Sequence, residues 1–161
     1  MSTYDDIMNL LRKRRTPRLV QTTDIDDAKL QMILDAAALA PSFDKVFPYQ
    51  IYVLTNSPAG IAKKEALLQY YRCMKPDGTH PKPSDTFDGL EMIQPILSGV
   101  TLVYCLYPRK SVYMTTGWEE TIHVGFKDAT ISATYAMIAA ESLGFKTGYF
   151  GGMFGSSNTN R

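Results

Sequence analysis

Ala129-Thr130-Ile131-Ser132-Ala133-Thr134-Tyr135-Ala136-Met137-Ile138-Ala139-Ala140 carries no charge, and Asp128 and Glu141 close it off on either side. A helix that is apolar or small all the way round must be covered on all sides. A chain of 161 residues has limited material for that. Small residues also let a second helix approach closely. The run therefore predicts a central helix at a homodimer interface. Leu143-Gly144 ends it as a glycine C-cap. Lys146-Thr147-Gly148-Tyr149-Phe150 then reads as a short strand, followed by Gly151-Gly152.

The rest of the chain divides around this helix. Ser2 or Thr3 caps a first helix with Asp5 and Asp6 in its opening turn and Ile7, Leu10 and Leu11 at helical spacing. Thr16-Pro17 ends it, because the residue before proline is pushed out of the α region. A second helix begins at a cap near Thr23 or Asp24, buries Leu30, Ile33, Leu34 and Ala37, and stops at Ala40-Pro41-Ser42. Gln50 to Thr55 reads as a strand, and Asn56-Ser57-Pro58 starts a helix that runs to about Cys73. Lys75 to Thr86 is a proline-rich surface loop, flanked by Tyr70, Tyr71 and Met74 as a candidate lid. A short helical piece follows at Phe87 to Ile93. Val100 to Tyr107 is a strand apolar enough to be buried on both faces, with Cys105 as inert core. No repeat or linker divides the chain, so residues 1–161 read as one domain with a polar tail from about 155 to 161.

Composition narrows the classes. The apolar share of 45% and charged share of 20% are those of a globular protein. A formal charge of +1 argues against general nucleic-acid binding. No stretch reaches the roughly 18–20 apolar residues that span a bilayer, and the start lacks a signal-peptide pattern. The reading is a cytoplasmic protein. Cys73 and Cys105 fit no metal or redox spacing. His80 and His123 have no catalytic partner pattern. Glu119-Glu120 with His123 reads as helix surface. The local exception to neutrality is Arg12-Lys13-Arg14-Arg15-Thr16-Pro17-Arg18, whose arginine forks suit phosphate or carboxylate oxygens. An anion site with so little acid–base machinery points to chemistry carried by a cofactor.

Three segments in order then become informative. They are Arg14-Arg15-Thr16-Pro17-Arg18, Ala40-Pro41-Ser42-Phe43 through Pro48-Tyr49, and Asp128 through Ala139-Ala140 and Leu143-Gly144 to Gly151-Gly152. With Gln94-Pro95 before the second strand, their order and spacing resemble the nitroreductase-like family of flavin mononucleotide (FMN) enzymes. The resemblance covers nearly the whole chain. It implies an α+β fold, a three-layer α/β/α sandwich with a mostly antiparallel sheet, assembled as an intertwined homodimer. It implies FMN as cofactor, with Arg14, Arg15, Thr16 and Arg18 at its phosphate, ribityl chain and pyrimidine edge. Pro41, Ser42 and Phe43 match the segment that approaches the flavin from the partner subunit. Phe150, Gly151 and Gly152 match the strand end against the ring, where glycine lets backbone approach a flat ligand. Lys45 and Phe47 stand where the family usually has asparagine and glutamine, and Tyr49 where it has tryptophan. Lys45 is a candidate charge near the ring or the incoming reductant. The implied activity passes a hydride from NAD(P)H through the flavin to a small oxidised substrate such as a nitroaromatic or quinone, in ping-pong order. The alternatives are a flavin-cleaving or dehalogenating relative, or a non-catalytic flavin-binding or interaction protein. Family members usually continue past the glycine pair, so the chain reads as either a natural minimal member or a truncated one.

Overall fold

A computed structural model describes residues 3–72, 90–107 and 118–149. Its elements are α1 (Thr3–Lys13), α2 (Asp27–Ala38), a 3-10 turn (Phe43–Lys45), β1 (Tyr49–Leu54), α3 (Pro58–Arg72), α4 (Leu90–Ser98), β2 (Thr101–Leu106) and α5 (Trp118–Ser142). Helices with a small sheet make this the expected α+β class. Two strands pair among the described residues. Tyr107, just after β2, donates its N–H to the carbonyl of Pro48, just before β1, at 3.1 Å, so the strands run antiparallel.

The described residues gather into two compact units. The first holds α1, α2, most of both strands and α5, up to Thr147. Its core is Ile33 and Ala37 of α2 against Ala136 and Ala140 of α5, with Ile25, Ile51, Leu102, Leu143 and Phe145 around them. Alanines at the crossing let the two helices come close enough for a polar link. Ser132, fully buried, donates its hydroxyl to the carbonyl of Ala37 at 2.9 Å, near the C-terminal end of α2. Its oxygen lies 3.4 Å from the Tyr104 hydroxyl, whose phenol burial pushes up in pKa. The C-cap of α5 is a Schellman motif: Gly144 sits at φ 88°, Phe145 donates to Ala140 at 3.0 Å and Gly144 to Glu141 at 3.1 Å.

The second unit holds Thr16–Asp24, the stretch from Leu54 to Thr101, and Gly148 onward. Ser57 caps α3 by accepting the Gly60 N–H at 3.2 Å, with Pro58 as first helical residue. Gln94 of α4 makes a two-way amide pair with the backbone of Val20, at 3.1 and 3.0 Å.

Several expectations change. The cap of α2 is Asp26, which accepts the Lys29 N–H at 2.9 Å. Asp24 is spent elsewhere, accepting the Asn56 N–H. Pro95 lies inside α4, where the helix runs on to Ser98, and does not merely precede β2. β2 is half-buried and not buried on both faces, and Cys105 on it is exposed and not core. Residues 146–149 of the expected strand at Lys146–Phe150 pair with no strand among the described residues. The candidate lid and His80 lie outside the described residues.

Candidate functional site

Asp128 organises the best-defined part of the site. It is 5% exposed on α5 and its Oδ2 accepts two hydrogen bonds, from the Ser42 hydroxyl at 2.7 Å and the Phe43 N–H at 3.0 Å. Charge-assisted bonds of this kind are about twice as strong as neutral ones. The same Ser42 oxygen accepts the Phe47 N–H at 2.9 Å. Gly125, one turn earlier on α5, passes so near Pro48 that an added Cβ would lie 3.4 Å from the proline ring. One helix thus grips both ends of the Ser42–Pro48 loop.

That loop is held in an unfavourable shape. Lys45 has φ 53° and Phe47 φ 45°. For non-glycine residues such angles cost on the order of 1 kcal/mol each. The network of Asp128, Ser42 and the Phe47 amide offsets that cost. Phe43 and Lys45 are exposed on the loop, and Pro41 is exposed before it. Phe47 and Tyr49 also line an apolar cleft of about 310 Å³ with Leu34, Ala37, Ala38 and Ile51.

The basic run is divided between the units. Arg14 and Arg15 follow the last turn of α1 in the first, while Thr16 and Arg18 belong to the second. Arg14 is half-buried, and its N–H still bonds to Leu10 at 3.0 Å. Arg15 turns back on its own helix: Nη1 donates to the carbonyls of Arg12 and Arg14, both at 2.7 Å. That geometry satisfies open carbonyls at the negative end of the helix. Thr16 and Arg18 are exposed. In the second unit Gly148 lies against Thr16, and a Cβ there would fall 2.9 Å from the threonine Cγ2. The chain bearing Phe150, Gly151 and Gly152 thus passes the threonine of the basic run just before those residues, which themselves lie outside the described ones.

Glu141, at the other end of the charge-free run, repeats the Asp128 pattern. It is 8% exposed and accepts the Thr147 N–H at 2.8 Å and the Thr147 hydroxyl at 2.9 Å. Lys146 adds an ion pair at 3.3 Å. In the sequence, Asp128 and Glu141 border the charge-free run and Asp128 opens the third family segment, but neither pattern assigns them these partners. The signal available was a lone acid at each edge of a run that packing must bury. Among the described residues no group of three His, Cys, Asp or Glu could hold a metal ion. No helix among them is long and apolar enough to cross a membrane.

Residues 11–160 match the sequence pattern of the Nitroreductase family, and the chain belongs to that family. No curated protein matches the sequence. Solved structures with a similar fold include nitroreductase A from Vibrio parahaemolyticus (22% identity, TM-score 0.67), covering 91% of this chain and 55% of the other. The NADPH:FMN oxidoreductase from Vibrio harveyi, in complex with NAD+, is 20% identical with TM-score 0.68, over 94% of this chain and 58% of the other. An FMN-dependent nitroreductase from Clostridium difficile is 23% identical with TM-score 0.54, over 85% of this chain and 61% of the other. The chain thus spans between half and two-thirds of the length of these relatives.

Proposed function

We propose that this member of the nitroreductase family is an FMN-dependent oxidoreductase. It takes reducing equivalents from NAD(P)H and delivers them to a small oxidised substrate such as a nitroaromatic or a quinone. The family match over residues 11–160 carries the reading. The donor chemistry fits: guanidinium groups at Arg14, Arg15 and Arg18 and a hydroxyl at Thr16 are what a phosphate and a ribityl chain require. Arg15 reaches a ligand by giving up its bonds to Arg12 and Arg14, and water or the ligand then covers those carbonyls.

Bound FMN supplies a two-electron centre able to accept a hydride and to pass it on. The chain's residues bind, orient and exclude water. The Ser42–Pro48 loop, fixed in advance by Asp128, presents Phe43 as an apolar wall and Lys45 as a positive charge for an anionic reductant or substrate. The resemblance assigns Phe150, Gly151 and Gly152 to the other side of the ring, and the two glycines carry no side chain to obstruct a flat ligand. Two such sites lie in a homodimer formed through the exposed side of α5, where Ile131, Tyr135 and Ile138 are uncovered within one chain. As a nicotinamide-dependent reductase the protein works in the cytoplasm.

The absorbance spectrum of the purified protein, before and after added FMN, tests the reading. A flavin spectrum that bleaches anaerobically with NADH or NADPH is the expected result. A protein that takes up no FMN overturns it, and a bound flavin that neither nicotinamide reduces reassigns the chain as a flavin holder. Arg14→Ala and Arg18→Ala should each weaken FMN binding by roughly tenfold or more, the loss of a charged hydrogen bond. Unchanged binding in both removes the basic run from the site.

A further inference from the structure

Asp128 and Glu141 are separated by one stretch of uninterrupted helix, about 20 Å at 1.5 Å per residue. Each is nearly buried, and each accepts one backbone N–H and one hydroxyl from a segment outside the helix, Glu141 with the Lys146 ion pair in addition. Burying a carboxylate costs several kcal/mol unless such bonds replace water. Neither is needed to pack α5, since small uncharged residues do that at Ala129, Ala136 and Ala140. The segments they hold are the ones that matter for the reading above. Asp128 holds the strained Ser42–Pro48 loop, and Glu141 holds Thr147, next in the chain to the Gly148 that rests on Thr16.

We propose that Asp128 and Glu141 are positioning residues for the cofactor, each fixing in advance the segment it holds. The inference rests on the flavin reading and adds to it residues that touch no ligand. Its physical content is preorganisation. A loop with two left-handed non-glycine residues relaxes when its anchor is lost, and affinity falls in proportion to the fraction of molecules still correctly shaped.

Full-length protein is titrated with FMN, followed by quenching of flavin fluorescence, and amide hydrogen exchange is read on the same variants without ligand. Asp128→Asn and Glu141→Gln should each weaken FMN binding by about tenfold or more. Exchange should quicken at Phe43 and Phe47 in the first and at Thr147 in the second, while α2 and the core of α5 stay protected. Thr147→Ser, which keeps the hydroxyl, should bind as the parent does. Ser42→Ala should weaken binding, and adding Asp128→Asn to it should cost little more, because both remove one linkage. FMN affinity within twofold of the parent in both carboxylate variants overturns the proposal and leaves the flavin reading standing. Absence of FMN binding by the parent overturns both. Should a carboxylate variant lose protection throughout α5, Ser42→Ala and Thr147→Val decide the matter, since they leave the helix and its acids intact.

Discussion

Lys64 lies on α3 with no exposed surface, and its ammonium donates to Asn56 Oδ1 at 2.7 Å, the Leu97 carbonyl at 3.3 Å and the Gly99 carbonyl at 2.7 Å. Those three bonds use all the donors a lysine has. Burial pulls its pKa below the usual lysine value, and Asp24 partly restores it. Leu97 and Gly99 stand at the C-terminal end of α4, where positive charge is favoured and open carbonyls need donors. Lys64→Met should therefore destabilise the fold by about 2 kcal/mol, by leaving buried acceptors unpaired. Urea unfolding followed by circular dichroism measures this, and a midpoint equal to the parent's would show the bonds to be idle. Asp26 gives a second residue-scale prediction. The Lys29 N–H, then the Lys29 side chain, hold its carboxyl below the ordinary 3.8. A carboxylate with a lowered folded pKa contributes stability that is present above its unfolded pKa and lost as pH falls through the folded one. The first turn of α2 should therefore keep its cap down to about pH 3.8 and loosen below it. The Lys29 amide resonance should titrate in that range, and Asp26→Asn should remove the titration.

Elements were legible in the sequence where local rules acted alone. The glycine end of α5, the strand expected at Gln50–Thr55 and the Ser57-Pro58 start of α3 follow from capping and β-branched content, and the structure has them, the strand at Tyr49–Leu54. The start of α2 shifted from Thr23 or Asp24 to Asp26, and Asp24 found a partner 32 residues away in Asn56. Such pairings have no local signature. The same holds for the site: the motifs pointed to Ser42 and Phe43, but not to Asp128 as the group that holds them. The segment after α5 failed as a strand for a related reason. Its Thr147 polar groups are taken by the Glu141 side chain, and Gly148 is pressed on Thr16. This close approach makes a prediction. Gly148→Ala puts a methyl 2.9 Å from Thr16 Cγ2 and should cost about 1–2 kcal/mol by overpacking. Thr16→Ser deletes that Cγ2 and keeps the hydroxyl, so the double variant should recover most of the loss. Failure of the second substitution to restore the melting temperature would show that the two residues do not meet.

At the scale of the molecule, two helices leave apolar side chains exposed among the described residues. α5 leaves Ile131, Tyr135 and Ile138 each about 40% exposed on the side away from Ser132 and Ala136. α1 buries no residue at all, although Tyr4, Ile7 and Leu11 repeat at helical spacing and are exposed. Residues three and four apart share one helix face, so these are two contiguous apolar stripes, and contiguous exposed stripes are costly in water. A two-fold dimer would bury the same stripe twice. Glutamate at Ile138 would then place a charge from each copy in an apolar interface, at a cost of several kcal/mol. The parent protein should elute as a dimer on gel filtration and show a melting temperature that rises with concentration. Ile138→Glu should elute as a monomer, with a melting temperature independent of concentration. Within one chain Ile138 is already partly in water, so the substitution should leave helical content unchanged. If FMN is held between two copies, as the resemblance implies for Pro41, Ser42 and Phe43, the same variant should also lose flavin. A monomeric variant that still binds FMN as the parent does would assign the site to one chain, and a parent that elutes as a monomer would leave the α5 stripe without the partner argued for it.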